Sequence, residues 1–409
     1  MTADDGTVRV LGMGRAELVA PDWPPLTEEE TCWLLGRHPG TGGLDAVLWR
    51  SPRPLSAAAL VRPRAGRHLF VKRHHRTVRD AAALAEEHRF MARLAARGAP
   101  VARVLRDRDG ATATVRGAWT YEVHTALPGD DLYRDAFSWT PYLTLAQAYS
   151  SGAALAGLHL AAEGWDAPPR GPLPLLASHR VFSAADPVAA MADFARARPG
   201  LSALLARVPW REDLARYHLP LRPRLGPLRP LWTQNDWHGT NLLWDGDRVT
   251  AVLDFGLANR TTAVHDLATA LERSAVEWLR LADRGPAAVH LGQARALLDG
   301  YRSVRPLSPA EAAALPELLP LVHADYALSE AYYFHTVLGR PDQALETYRD
   351  YFTGHAAWFT TPAGRDFTAR LREWVRTAPS PTPDGCAPAP WGGRGAGRGG
   401  VSGVSGVSG

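Results

Sequence analysis

At Leu127-Pro128-Gly129 the character of this chain changes, and that boundary restricts the available folds more than any other feature of the sequence. Ahead of it, residues 46–49, 57–61, 68–71, 111–115 and 119–123 are short strand-like runs, separated by proline- and glycine-bearing breaks at 51–56 and 62–66. One helical segment, 81–97, interrupts them, with Leu84, Met91 and Leu94 near helical spacing and Gly98 as a stop. Behind the boundary, residues 143–162, 184–196, 265–282, 286–304 and 315–338 carry helical periodicity, and the last helices reach about Arg376. This order predicts an α+β protein of two lobes: a small antiparallel sheet with one helix over 41–126, then a larger, mainly helical body over 127–378. Residues 1–40 form an arm that enters a short helix near 28–35, and the Pro/Gly/Ser-rich stretch 379–409 is expected to be disordered.

With 409 residues the chain can bury a large core, so two lobes need no covalent staples. Its two cysteines, Cys32 and Cys386, lie far apart and match no metal-ligand spacing, which suits a reducing, cytoplasmic setting. No apolar run is long enough to cross a bilayer, so no membrane partner is expected. The net charge of +4 is spread among interspersed acids and bases, not gathered into a stripe, and argues against a nucleic-acid partner. In the densest basic stretch, Lys72-Arg-His-His-Arg76, the adjacent His74 and His75 point to opposite faces of a strand and cannot share a metal.

Composition then isolates particular residues. Lys72 is the only lysine among 46 Lys and Arg residues, and isoleucine is absent. The three asparagines, Asn235, Asn241 and Asn259, fall in one window around Asp236 and Asp254. A composition that replaces these residue types wherever it can marks the survivors as candidates for chemistry that no substitute performs.

The segment Trp232-Thr-Gln-Asn-Asp236-Trp-His-Gly-Thr-Asn241, followed by Asp254-Phe-Gly256, supplies the parts of metal-assisted phosphoryl transfer. Asp236 would accept or orient the proton of an attacking hydroxyl. Asn241 offers a neutral oxygen and Asp254 a charged one, a donor set suited to Mg²⁺ bound to nucleotide phosphates. A hairpin through 242–244 and 251–253, turning at Asp245-Gly-Asp247, would return Asn241 and Asp254 to one cleft. Lys72, at the end of a strand, would hold the α and β phosphates with a carboxylate from the following helix, Glu87 or else Glu86.

These residues resemble the aminoglycoside phosphotransferase family, which shares the protein-kinase fold with choline kinase and type II homoserine kinase. The resemblance covers about 40–375 and includes Leu155-Ala-Gly-Leu-His159 and His265-Asp-Leu-Ala268. It implies a bilobal protein-kinase-like fold with ATP and Mg²⁺ as cofactors. Glu122 to His124 would form the hinge that reads adenine, Ser51 to Ser56 the loop over the phosphates, and Asp266 a brace for the catalytic loop. Two departures stand out: Gln234-Asn235 occupies the place of the family's usual His-Gly, and the short stretch from Gly256 to Asp266 leaves no room for a phosphorylated activation segment.

The acceptor would lie between the catalytic loop and the C-terminal helices, near Asp325-Tyr326 and Glu330. Residues 260–376 hold 14 acidic and 13 basic side chains, a balance that argues against a polycationic antibiotic as acceptor. Three readings follow: an ATP-dependent kinase of a small-molecule hydroxyl, a Ser/Thr kinase of a peptide, or a nucleotide-binding scaffold without catalysis. Retention of Lys72, Asp236, Asn241 and Asp254 together speaks against the scaffold.

Overall fold

The structure is a computed structural model that describes residues 9–222 and 228–379. Apart from Pro379, the expected disordered tail lies outside the described residues. A five-stranded antiparallel sheet forms the small lobe, from β3 (Leu44–Arg50), β4 (Ala57–Pro63), β5 (Leu69–His75), β6 (Thr114–Arg116) and β7 (Trp119–Thr125) in the spatial order β3-β4-β5-β7-β6. Alternation along the strands sends Ala59, Val61, Val71, Tyr121 and Val123 to one face, where they pack against Leu34 and Leu35. Those two leucines belong to α1 (Glu28–Leu35), which starts at a capping box between Thr27 and Glu30. Arg73 reinforces this face by donating to both Glu30 carboxylate oxygens at 2.8 Å. The same alternation directs Lys72 and its cross-strand neighbour Glu122 to the opposite face.

Helix α2 (Ala81–Ala96) starts at Asp80, whose side chain accepts from Ala83 N at 2.8 Å. Its buried Phe90, Met91 and Leu94 join the main core together with Trp232, Trp237 and Trp244 of the large lobe. Helix α3 (Leu145–Ala162) crosses the Leu291–Val304 helix at very close range. A Cβ at Gly152 would overlap the Leu297 carbonyl, and one at Gly300 the Tyr149 carbonyl, so only glycine lets these backbones meet.

Two small antiparallel pairs frame the segment that carries Asp236 and Asn241. One is β8 (Pro230–Thr233) with β11 (Asn259–Thr262), and the other is the hairpin β9 (Leu242–Asp245) with β10 (Arg248–Val252). The hairpin matches the sequence expectation, whereas the β8–β11 pair was not foreseen. Four helices differ in extent by three residues or more, among them 286–304, which begins only at Leu291. The expected helix 265–282 is Ala263–Ala275, because Val276 leaves it to bridge Val289. The expected 315–338 helix splits into Pro309–Leu318 and Ala324–Tyr332, and 184–196 begins at Pro187 where Asp186 caps it. Among the described residues no helix is long and apolar enough to cross a membrane.

From residue 9 onward the N-terminal arm packs against both lobes. Its hairpin, β1 (Val10–Leu11) with β2 (Leu18–Val19), donates from Leu11 N to Pro52 O at 2.8 Å. Farther along, Asp22 accepts from Arg340 at 2.6 Å and from Tyr333 Oη at 3.1 Å, both in the large lobe.

Candidate active site

The loop that carries Asp236 leaves β8 at Thr233 and returns through a short 3-10 turn, Gly239–Asn241, into β9. Asn235 sits in the left-handed region at φ 61°, a conformation glycine adopts freely and asparagine tolerates better than other side chains. That gives a physical reason for Asn where the family usually has Gly. Gln234 replaces the usual His through its side-chain amide. Its Nε2 donates to Asp254 O at 2.6 Å, and its Oε1 accepts from Asp236 N at 2.7 Å. Asp266, fully buried, accepts from Gln234 N at 3.1 Å and Asn235 N at 2.9 Å. His159 Nε2 lies 3.1 Å from the same carboxylate while its Nδ1 meets Tyr301 Oη at 2.8 Å. Asp266 therefore grips the loop from behind, as the resemblance implied.

Asp236 projects from this loop with three partners. Asn241 Nδ2 donates to its Oδ2 at 3.0 Å, His238 Nε2 lies 3.4 Å from Oδ1, and Arg273 donates to Oδ1. Burial pushes the Asp236 carboxyl upward, but the charges of Arg273 and His238 together with their hydrogen bonds hold it below the usual carboxylate range. Asp236 is thus ionised throughout the neutral range. Arg273, on the Ala263–Ala275 helix, is itself buried, and its guanidinium lies 5.3 Å from the centroid of Tyr326. Next to them Glu330 is 2% exposed, and burial, only partly countered by Arg273, pushes its carboxyl up to about 8.

Asp254 follows β10 in a left-handed conformation at φ 48° and accepts from Gly256 N at 3.0 Å through Oδ1. Its Oδ2 is 3.1 Å from Lys72 Nζ. Burial raises the Asp254 carboxyl most, but the charge and hydrogen bond of Lys72 together with the bond from Gly256 N bring it below its ordinary value despite the opposing charge of Asp236. Lys72 thereby joins the two parts of the site identified from the sequence. The expected partnership of Lys72 with Glu87 is not formed. Glu87 is buried with Arg170 Nη1 3.8 Å from its Oε2, and Glu86 is 3.8 Å from Arg170 Nε. Arg170, fully buried and donating to Ala83 O, Gly256 O and Ala258 O, draws both carboxylates toward α2's junction with the large lobe.

The hinge assignment to Glu122 and His124 needs correction. Both lie inside β7 and not beyond it. Val123 O and Thr125 N bond to residues 105 and 103, so the backbone groups of Glu122 and His124 face the β5 ladder and are spent there. The Glu122 side chain is 1% exposed and collects His74 at 3.0 Å, His88 at 2.6 Å and His124 at 3.0 Å. Burial would raise this carboxyl, but the three histidines, His124 foremost, hold it well below its ordinary value. The first backbone past the strand belongs to Ala126–Pro128. Ser51 and Ser56 do lie in the β3–β4 connection, where Ser51 Oγ accepts from Arg53 N at 3.3 Å. Arg53, from the same loop, has its guanidinium within electrostatic reach of Asp236 and Asp254; burial lowers its pKa against the pull of these acids and of Asp131 and Asp135.

The sequence profile of the APH phosphotransferase enzyme family matches residues 56–307. The chain belongs to this family. Among its relatives, a homoserine kinase of Acidiphilium cryptum is 30% identical over 274 residues, covering 64% of this chain and 72% of that protein. A homoserine kinase of Caulobacter vibrioides is 31% identical over 232 residues, 55% of this chain and 62% of that one. In structure, a microcompartment-associated aminopropanol kinase aligns with TM-score 0.52 at 19% identity over 81% of this chain and 97% of the other, which establishes the shared protein-kinase-like architecture. The chain is a small-molecule phosphotransferase.

In this phosphotransferase a divalent cation has a suitable donor set. Asn241 turns its Nδ2 toward Asp236 O and Oδ2, at 2.9 and 3.0 Å, which leaves its amide oxygen for another partner. Asp254 adds a carboxylate that already feels the charge of Asp236, and two ionised carboxylates in one cleft favour a cation between them. Sequence reasoning missed Arg273 and Arg53. Arg273 carried one usable signal: it follows Asp266 by seven residues, two helical turns, and so shares its helix face.

Proposed function

We propose that this phosphotransferase moves the γ-phosphoryl group of ATP to the hydroxyl of a small amino compound, with Asp236 as base and Mg²⁺ held by Asn241 and Asp254. Lys72 and Arg53 bind the phosphates, the backbone of Leu127, whose neighbours Ala126 N and Pro128 O are already bonded to His68 O and Thr250, reads the adenine, and Arg273 keeps Asp236 ionised and in place. Mg²⁺ would neutralise the phosphate oxygens when bound. The low proton affinity of Asp236 suits a loose transition state, in which the acceptor proton leaves late and orientation counts for more than basicity. One observation carries this reading: Lys72 from the small lobe meets Asp254 at 3.1 Å, while Asp254 is tied through Gln234 to Asp236.

Glu330, a buried acid of raised pKa next to Tyr326, gives the acceptor side a group that an ammonium would draw into its charged form, which suits a hydroxylated amino acid or amino alcohol. Homoserine and aminopropanol, the substrates named for relatives, have this chemistry. The free, exposed Cys32 fits a reducing cytoplasm.

The deciding experiment offers homoserine, aminopropanol, an aminoglycoside and a Ser/Thr peptide to wild type and Asp236→Asn with Mg-ATP. Wild type is expected to label one of the first two, and Asp236→Asn to lose turnover by about 10³-fold or more while still binding nucleotide. Undiminished turnover in Asp236→Asn overturns the assignment of the base. Labelling confined to the peptide or the aminoglycoside overturns the acceptor class.

A further inference from the structure

Deep in the large lobe, Glu272, His323 and His355 bring a carboxylate and two imidazoles together, with one ligand atom of each within 4.8 Å of the others. They come from three separate elements. Glu272 lies on the Ala263–Ala275 helix, His323 immediately precedes the Ala324–Tyr332 helix, and His355 lies in the Gly354–Phe359 helix. All three side chains are at most 5% exposed.

Their contacts converge without being hydrogen bonds. His355 Nδ1 is 2.9 Å and His323 Nδ1 3.7 Å from the same oxygen, Glu272 Oε1. The 3.7 Å approach is too long for a hydrogen bond and the 2.9 Å one lacks its direction, so both carboxylate oxygens and all four ring nitrogens are buried without a hydrogen-bond partner. Folded proteins rarely leave adjacent buried polar atoms uncompensated in this way. The cluster around Glu122 is a useful contrast, because there each histidine makes a directed hydrogen bond, at 2.6 to 3.0 Å, and the carboxylate needs nothing more.

The geometry points to a divalent-cation site formed by Glu272, His323 and His355. In a tetrahedral zinc shell, with bonds near 2.0–2.1 Å, adjacent ligand atoms stand about 3.3 Å apart. The two nitrogen-to-oxygen separations, 2.9 and 3.7 Å, straddle that value. Two imidazole donors and one carboxylate select a borderline metal such as Zn²⁺ over Mg²⁺ or Ca²⁺, which prefer all-oxygen shells. Water would complete the coordination. Trp278 stacks on the His355 ring with centroids 3.7 Å apart and planes 15° apart, which fixes its orientation, and Trp139 lies 5.6 and 5.8 Å from the two imidazoles. These aromatic walls keep the surroundings apolar, which strengthens metal–ligand attraction. Arg273 follows Glu272 in sequence and raises the potential at His355, but its guanidinium is already paired with Asp236. A bound metal would pin three helical segments together, one of which carries Arg273.

The test uses the full chain, stripped with a chelator and reloaded with Zn²⁺ or Co²⁺. We expect one equivalent of Zn²⁺ retained through desalting, ligand-field bands of four- or five-coordinate Co²⁺, and a Tm raised by about 3 °C or more at saturating metal. Glu272→Gln and His355→Gln should lose retention, whereas His124→Gln and Asp254→Asn should keep it, which separates this site from the Glu122 cluster and the nucleotide cleft. Failure of folded wild type to retain Zn²⁺, or equal retention by folded Glu272→Gln and His355→Gln, overturns the proposal. Should those variants not fold, the wild-type Co²⁺ spectrum decides, because a six-coordinate aquo-like spectrum is incompatible with this ligand set.

Discussion

The guanidinium of Arg273 is hydrogen-bonded to Oδ1 of Asp236, so the proposed base is held by a buried cation from a different element of the large lobe. Burial is the largest single influence on Asp236 and raises its carboxyl, and without that cation the chief opposing charge is gone. Arg273→Ala is therefore expected to lower turnover by about 10- to 100-fold and to move the acidic limb of the pH–rate profile upward. Arg273→Lys, which restores charge without the planar fork, should recover the position of that limb but only part of the rate. A profile unchanged in Arg273→Ala would show that the pair has no bearing on the base.

Lys72 meets Asp254 in the cleft through a compact ammonium that is 14% exposed. A guanidinium at this point is longer and planar, so Lys72→Arg should cost about 10-fold or more in kcat/KM for ATP although the charge is kept. Wild-type kinetics in Lys72→Arg would remove the reason for retaining a lone lysine.

Asn235 occupies φ 61° with both of its side-chain amide ends engaged: Oδ1 accepts from Thr233 at 2.9 Å and Nδ2 donates to Thr233 O at 3.1 Å. Asn235→Gly should fold and retain activity, while Asn235→Val should destabilise the protein by about 1–3 kcal/mol, since a β-branched residue resists this conformation. Denaturant unfolding compares the two, and equal midpoints would mean that the loop's backbone is unstrained.

Glu330 has a folded-state pKa of about 8 against an ordinary value of 4.5. The stability contributed by its proton is fully present below pH 4.5 and is lost as pH rises through 8. Glu330→Gln keeps a neutral side chain, so its Tm relative to wild type should climb steadily between those limits. Thermal melts across this range provide the check, and a difference that does not vary with pH would mean that Glu330 is not buried as a neutral acid.

Much of this arrangement could be read from the sequence. Helix α1 has the expected limits, and the β9–β10 hairpin turns where Asp245-Gly-Asp247 requires. Polar β11, with Asn259-Arg-Thr-Thr262, has no apolar alternation to reveal it as a strand, and it pairs with β8 only through the tertiary fold. The 315–338 segment kept its helical periodicity across a break because residues on both sides of the break are buried, so hydrophobic spacing could not show it. The rarity that singled out Lys72 could not find Arg273, Arg53 or Arg170, since arginine is the common cation of this chain. Even the three asparagines serve different purposes. Asn241 faces Asp236, Asn235 permits a backbone turn, and Asn259 holds Arg170 N and Ala177 O at 2.8 Å each.

The N-terminal arm has a mechanical consequence. Leu11 is fastened to the loop that carries Arg53, and Gly14, Arg15 and Asp22 to Tyr351, Glu346 and Arg340 on the far lobe, so the arm is a short leash across the two halves. So short a leash opposes wide separation of the lobes, because a wide swing would have to break the contacts of Gly14 with Tyr351 and of Arg15 with Glu346. The reaction chamber is thereby restrained from outside the catalytic machinery, by a segment that contributes none of the residues proposed for the chemistry.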